Sequence, residues 1–324
     1  MRMQLSREQL LQAFRSMVKI REFEERLHIE NPKGEIPGFL HLYAGQEAVA
    51  VGLCEQLTER DYIISTHRGH GHCIAKGCDI PAMMLEIYGR ADGLCNGKGG
   101  SMHIADVTKG MLGANGIVGG GQPIAVGAAI ACKMRGDGSV AASFTGDGAA
   151  NQGTVFEAMN LAVVLQVPKV FMFEMNGYSE HTGGSYSTGA KDPVQRIRGF
   201  GIPVFEADGF DLFSVYDAVR QALEISRNGG GPTAVYAQTT RYYGHFEGDP
   251  MLYRAPGEVE RLRAENDCLQ NFRRRVTEAG LLTAGDLDGI EVEIRALVDH
   301  SVVAAKAGRG HTPAELLTNV YASY

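Results

Sequence analysis

The chain has 324 residues with 31 Lys+Arg against 38 Asp+Glu, a formal net charge of −7. That acidic balance, without any run of five or six basic residues, excludes a general nucleic-acid binder, whose affinity rests on neutralising phosphates. Hydrophobic residues at 44% and charged residues at 21% fit a globular chain rather than a disordered or fibrous one. Arg2, Arg7, Glu8 and Arg15 interrupt any signal-peptide core, and no stretch of about 18 apolar residues follows, so no membrane span and a cytoplasmic location are expected. Six scattered cysteines without a Cys-x-x-Cys pair are expected to be reduced.

Ser6 with Gln9 three residues on forms a capping box, and Leu10, Phe14, Met17 and Val18 recur at helical spacing, predicting an amphipathic helix to about Leu27. Residues 31–39 read as loop, 46–56 as helix and 62–65 as a short strand. The 42 glycines, about twice the usual ~7%, concentrate between Gly69 and Gly153, where backbone groups are expected to hold ligand. From Ser139 the pattern becomes strand (SVAASFT), helix (152–165) and strand (VPKVFMFE), then strand 204–207, helix 215–226 and strand 233–238. Alternating strands and helices predict an α/β fold with a mostly parallel sheet covered by helices on both faces. Residues 1–324 read as one α/β domain with an N-terminal helical segment, 1–37, and a C-terminal helical tail, 257–324. In that tail Glu260, Arg261, Arg263 and Glu265 form a solvated stripe, and His28, His300 and His311 face solvent.

The sharpest candidate site is Gly146-Asp147-Gly148 at the end of one strand, with Asn176 at the end of the next, 29 positions on. Parallel strands open on the same edge, so Asp147 and Asn176 can face each other, a donor set that suits Mg²⁺. The following helix directs its N-terminus to the same crevice and favours an anion. The alternative is a turn with a capping Asp and an Asn tolerated in αL. GLCNGKGG is not a P-loop, because Asp92 and Gly99 stand where Gly and Ser/Thr are required. The run His67, His70, His72, Cys73 carries zinc-ligand residue types but lacks a second ligand pair. A nucleotide-binding regulatory α/β module is a further alternative, opposed by the lack of G-x-G-x-x-G after a strand.

GDG followed by about thirty residues and an Asn resembles the thiamine-diphosphate fingerprint, and GDGAANQGTVFEAMNLA is similar to alpha subunits of 2-oxo-acid dehydrogenase complexes. GFLHLYAGQEAVAVGL, STHRGHGHCIAKG, GKGGSMHIAD, NGIVGGGQPIAVGAA and RYYGHFEGD follow in family order, covering most of Gly38 to Asp249. THRGHGHCIAKG and RYYGHFEGD most resemble acetoin dehydrogenase alpha subunits, and Phe246 stands where pyruvate enzymes of higher cells carry a phosphorylatable Ser.

The resemblance implies thiamine diphosphate and Mg²⁺, with Asp147, Asn176 and the main-chain oxygen of Tyr178 as metal ligands. It implies diphosphate contacts from Gly148, Ala149 and Arg68, and aminopyrimidine contacts from Gly116 and Val118. His245 would lie over the diphosphate and reacting carbon, and His41 near the substrate carbonyl. Both are expected to act as acid–base catalysts with pKa values near working pH, Leu40 and His67 to line a substrate pocket, and His103 either to line it or to satisfy backbone carbonyls. Met175 replaces the first Asn of the family's pair. The implied partners are a beta subunit carrying the activating glutamate, in an α2β2 assembly, and a lipoyl-bearing acyltransferase. The implied reaction cleaves acetoin or a similar hydroxyketone and passes a two-carbon unit to lipoamide, or decarboxylates pyruvate or another 2-oxo acid. The glycine-rich face from Gly110 to Gly121 is expected to be buried against the partner.

Overall fold

The computed structural model describes residues 5–320. Helix α1 (Arg7–Glu30) starts at Ser6 with the reciprocal Ser6/Gln9 cap. It runs past Leu27 because Glu30 is still on its buried face. Helix α2 (Glu47–Cys54) and strand β1 (Tyr62–Ile64) follow. The glycine-rich half then holds three helices that the sequence reading does not place, α3 (His70–Ala75), α4 (Ile80–Ile87) and α5 (Gly121–Arg135). Their glycines serve close packing. A Cβ at Gly71 would lie 2.0 Å from the Tyr43 ring, and one at Gly121 would lie 2.4 Å from Ile64. Tertiary contact outweighs the weak helix propensity of glycine here.

The remaining elements are β2 (Ala141–Thr145), α6 (Gly153–Leu165), β3 (Lys169–Met175), the small hairpin β4 (Tyr178–Ser179) and β5 (Thr182–Gly183), α7 (Gly184–Ser187), α8 (Pro193–Arg198), β6 (Val204–Asp208), α9 (Leu212–Arg227) and β7 (Thr233–Gln238). The tail is three helices, α10 (Glu258–Asn266), α11 (Cys268–Glu278) and α12 (Ala284–Ala307). Asp267 breaks the run by capping the amides of Leu269 and Gln270, and Thr283 with Asp286 forms a capping box on α12. The expected solvated stripe is corrected at Arg263. Its guanidinium pairs with Glu25 at 2.6 Å and lies 4.7 Å from the Tyr242 ring centroid, because α10 packs back towards α1. His28 is exposed as expected, yet it meets Glu247 at 2.9 Å.

Five strands form one sheet in the order β1-β2-β3-β7-β6, every neighbouring pair parallel. Successive side chains alternate between its two faces. Ala142, Phe144, Val170, Met172 and Val235 enter the core shared with α1, α2, α9 and α12. Ala141, Phe171, Phe173 and Ala234 enter the one beneath α5 and α6. With both faces covered, the central strands β2 and β3 are buried at every position, as parallel sheets require, whereas the edge strand β6 has no buried residue. No described helix is long and apolar enough to cross a membrane. The turns leaving β1, β2, β3 and β7 all emerge at one edge of the sheet, where doubly wound folds form their crevice.

Candidate active site

At that edge lies a cavity of about 230 Å³ lined by residues from all four turns. Strand β2 delivers Asp147, which is 4% exposed. Its Oδ2 accepts from the Asn176 amide at 2.9 Å and its Oδ1 from the Gly177 amide at 3.2 Å. The carboxylate therefore bridges β2 to the end of β3 rather than capping the helix that follows it, which removes the capping alternative. The Asn176 side chain is held between the Tyr178 amide, 3.2 Å from Oδ1, and Gln46 Oε1, 3.1 Å from Nδ2. Burial pushes the Asp147 carboxyl up to about 6 in spite of the amides that donate to it. Among the described residues no cationic side chain forms an ion pair with it, so a bound cation would relieve a desolvated charge. A Cβ at Gly148 would lie 2.4 Å from Ser179 Oγ, so a larger residue there would have to turn that hydroxyl aside. Gly148 leads into the 3₁₀ turn Ala149–Asn151 and then α6, whose first amides have no carbonyl of their own helix to bond.

Two guanidiniums line the same cavity. Arg68, buried, donates to the carbonyls of Leu42 and His245, and burial together with the charge of Arg241 pushes it down to about 9. Arg241, also buried, donates to the Glu180 carbonyl at 2.6 Å and the Tyr253 hydroxyl at 2.7 Å. Its Nε has no partner. Neither arginine meets a carboxylate among the described residues, and two unpaired buried cations make an anion site. Sequence reasoning named Arg68 and missed Arg241, Gln46 and Met102, which also line the cavity. The signal for Arg241 lay in RYYGHFEGD, just beyond β7 at the edge that Asp147 already marked.

His41, His67 and His245 come together from three separate loops. Their ring centroids lie 4.8, 5.0 and 5.2 Å apart. Burial, with Arg68 next, pushes His41 down to about 3, His67 to about 2 and His245 to about 4. The expectation of pKa values near working pH is thus corrected for His41 and His245. Both are neutral imidazoles because they share a desolvated cavity with two positive charges. Since their folded values lie below the ordinary 6.5, the unfolded chain binds more protons between about pH 6.5 and 4, and stability falls as pH drops through that window. Thermal melts between pH 7.5 and 5 should show this slope, and His41→Gln should flatten it; an unchanged slope would count against the cluster as its source.

The other expected residues divide. Tyr178, Gly116, Val118, Gly148 and Ala149 line the cavity, and Tyr178 also bonds Glu258 through its hydroxyl at 3.1 Å. Leu40 does not line it. That side chain is 1% exposed in the core, since successive residues of its loop point opposite ways and only His41 turns inward. His103 does not line it either; it is exposed beside Gly116, and its neighbour Met102 faces the cavity instead. The HRGHGHC run forms no joint site. His70 bonds Glu24 and Ser101, whereas His72 bonds Ser65 and stacks on Phe144. Met175 is 8% exposed within the apolar cluster under α5 and α6, so an amide there would be desolvated.

The GLCNGKGG loop wraps an internal anion. Glu86 of α4, fully buried, accepts from the amides of Cys95, Gly97, Gly99 and Gly100 at 2.7–3.0 Å. This carboxylate occupies the amide cradle that a P-loop would offer to phosphate.

A family model described as the dehydrogenase E1 component matches residues 15–314. The chain is 53% identical over 320 residues to the acetoin:2,6-dichlorophenolindophenol oxidoreductase alpha subunit of Cupriavidus necator, covering 99% of this chain and 96% of that one. The same-named protein of Bacillus subtilis is 47% identical over 321 residues, with 99% and 96% covered. The pyruvate dehydrogenase E1 component alpha subunit of Rhizobium meliloti is 39% identical over 317 residues, with 98% and 91% covered. With its parallel sheet, its edge cavity and a match along most of its length, this chain belongs to the dehydrogenase E1 component family.

Proposed function

We propose that the chain is the alpha subunit of a thiamine-diphosphate-dependent dehydrogenase that cleaves acetoin or a similar hydroxyketone and passes a two-carbon unit to lipoamide. The observation that carries this reading is one cavity with opposite electrostatic needs at its two sides. A desolvated carboxylate, Asp147, calls for a cation, and Arg68 with Arg241 calls for an anion. A magnesium diphosphate satisfies both. Asp147, Asn176 and the main-chain oxygen of Tyr178 would hold Mg²⁺, and Gly148, Ala149, Arg68 and Arg241 the diphosphate, with Gly116 and Val118 along the aminopyrimidine. When bound, thiamine diphosphate supplies the electron sink for carbon–carbon cleavage. The chain's own part is to hold the diphosphate, keep the cavity dry and present His41 and His245 as neutral imidazoles, which can hydrogen-bond a substrate hydroxyl or carbonyl.

Titration of the chain with thiamine diphosphate and Mg²⁺, against NAD as a control, tests the assignment; tight NAD binding with none of thiamine diphosphate would overturn it. Arg241→Ala should weaken thiamine diphosphate binding by roughly 10–100-fold, the range that lost charge-assisted bonds of ~1.5–3 kcal/mol imply. Arg241→Lys should restore only part, since lysine lacks the planar fork. Equal affinity in wild type and Arg241→Ala would remove that residue from the diphosphate site.

Support for a beta partner comes from exposed apolar surface. Ile117 and Val118 beside α5, Ile124 and Met134 on α5, and Leu161 and Val164 on α6 are 43–82% exposed, more than a lone soluble chain tends to leave bare in one region. An α2β2 heterotetramer covering this face, serving a lipoyl-bearing acyltransferase, is the assembly we favour.

Arg241 keeps a second substrate in play. A 2-oxo acid brings a carboxylate that needs a cation, and the cavity holds two guanidiniums rather than one. The relatives named for acetoin have the higher identity, and acetoin needs only the neutral hydrogen-bonding groups that the three imidazoles offer. The kcat/KM values of the reconstituted heteromer for acetoin and pyruvate, with an artificial electron acceptor, should differ by at least about tenfold in favour of acetoin, a difference of ~1.4 kcal/mol. A pyruvate preference would reassign the substrate and leave the cofactor reading intact.

A further inference from the structure

His41, His67 and His245 lie far apart in sequence, yet their ligand nitrogens all fall within 4.8 Å of one another. His41 Nδ1 is buried and has no hydrogen-bond partner. Such an atom carries a desolvation cost that only a bound group relieves. We propose that these three imidazoles form a binding site for a transition-metal ion of the Zn²⁺ type, separate from the Asp147 site, which competes with cofactor loading.

The chemistry favours a borderline-soft ion. Imidazole nitrogen suits Zn²⁺, whereas Mg²⁺ prefers the oxygens of Asp147 and Asn176. Three histidines with one open position match the open zinc sites that retain an exchangeable ligand. Nitrogens bound to one tetrahedral zinc at about 2.0–2.1 Å lie ~3.3 Å apart. The rings must therefore close by ~1.5 Å, within the reach of side-chain torsions in loops. The opposing terms are the charges of Arg68 and Arg241, which line the same cavity, and an anionic fourth ligand such as chloride or hydroxide offsets part of them. The competition rests on the cofactor reading above, because both occupants would use the cavity face that these histidines line.

The test uses the full chain free of cofactor, titrated with Co²⁺ for tetrahedral d–d absorption and with Zn²⁺ by calorimetry. One ion per chain is expected. His67→Ala and His41→Ala should each weaken it by more than the ~10–100-fold lost when a ligand's hydrogen-bond partner is removed. His300→Ala, an exposed residue of α12, should leave it unchanged. Circular dichroism and thermal melts show whether each variant folds, and His67→Gln provides a milder substitution with the same expected loss. Absence of tetrahedral Co²⁺ bands, or bands that persist in folded His67→Ala and His41→Ala, would overturn the site. Prior saturation with thiamine diphosphate and Mg²⁺ should reduce Zn²⁺ affinity at least tenfold. Histidine-dependent Zn²⁺ binding that ignores the cofactor would confirm the metal site and instead overturn the placement of the cofactor in this cavity.

Discussion

Asp147→Ala is expected to reduce Mg²⁺-dependent binding of thiamine diphosphate by on the order of 100-fold or more, to the point of abolishing it at ordinary cofactor concentrations. The substitution removes the carboxylate that faces the cavity and also the acceptor that ties the Asn176 and Gly177 amides to β2. Asp147→Asn separates these effects, since it keeps one oxygen to accept from the amides while losing the charge. Calorimetry on the reconstituted heteromer, with Mg²⁺ varied, reads both. If the aspartate acts through charge, Asn should lose nearly as much affinity as Ala and the Mg²⁺ dependence should flatten. If Asn retains wild-type affinity, the metal assignment fails and only the loop tether remains.

The second large effect is on turnover. The isolated chain is expected to show none with acetoin, and to gain activity on mixing with its beta subunit, because of the three carboxylate residues that line the cavity two are engaged and the third has an exposed side chain. Asp147 bridges two strand ends, and Glu174 accepts from the buried Tyr43 hydroxyl and lies 3.5 Å from His72. Glu180, at positive φ in the hairpin, has its carbonyl taken by Arg241 and its side chain exposed. Asp147 and Glu174 are not free to hold a proton on an aminopyrimidine, the task that the family resemblance gives to the partner's glutamate, and the exposed Glu180 side chain lacks the burial that would fix it there. Assays of chain alone, partner alone and the mixture, with an artificial acceptor, decide the matter. Full activity from this chain by itself would show that the activating acid is one of these three.

How much of this was legible in the sequence follows from sequence distance. Asp147 and Asn176 could be paired because each ends a strand of one βαβ unit, where chain spacing fixes spatial neighbourhood. The three-histidine cluster could not be assembled from spacing, since residues 41, 67 and 245 meet only through the sheet order. The tandem histidines of HRGHGHC look closer in the text and are farther apart in role, because α3 turns His70 towards α1 and His72 towards β2. Helices α3 and α5 were hidden by their own glycines. Local propensity counts glycine against a helix, and packing against Tyr43 and Ile64 demands it. Leu40 and His103 lie within motifs that carry the family resemblance, but a one-residue step changes which side of a loop a side chain takes, as His41 and Met102 show.

The carboxylate of Glu86 at the centre of the glycine loop bears on when that loop becomes ordered. Four amides converge on it within the chain itself, and the next residues, Ser101 and Met102, bond His70 and line the cavity. The entropy lost in fixing this stretch is therefore charged to folding, and ligand association need not repeat it. In kinetic terms the wild-type cavity should capture its ligand in a single concentration-dependent phase. A protein lacking the Glu86 carboxylate should instead add a slow, ligand-independent step as the loop searches for its shape.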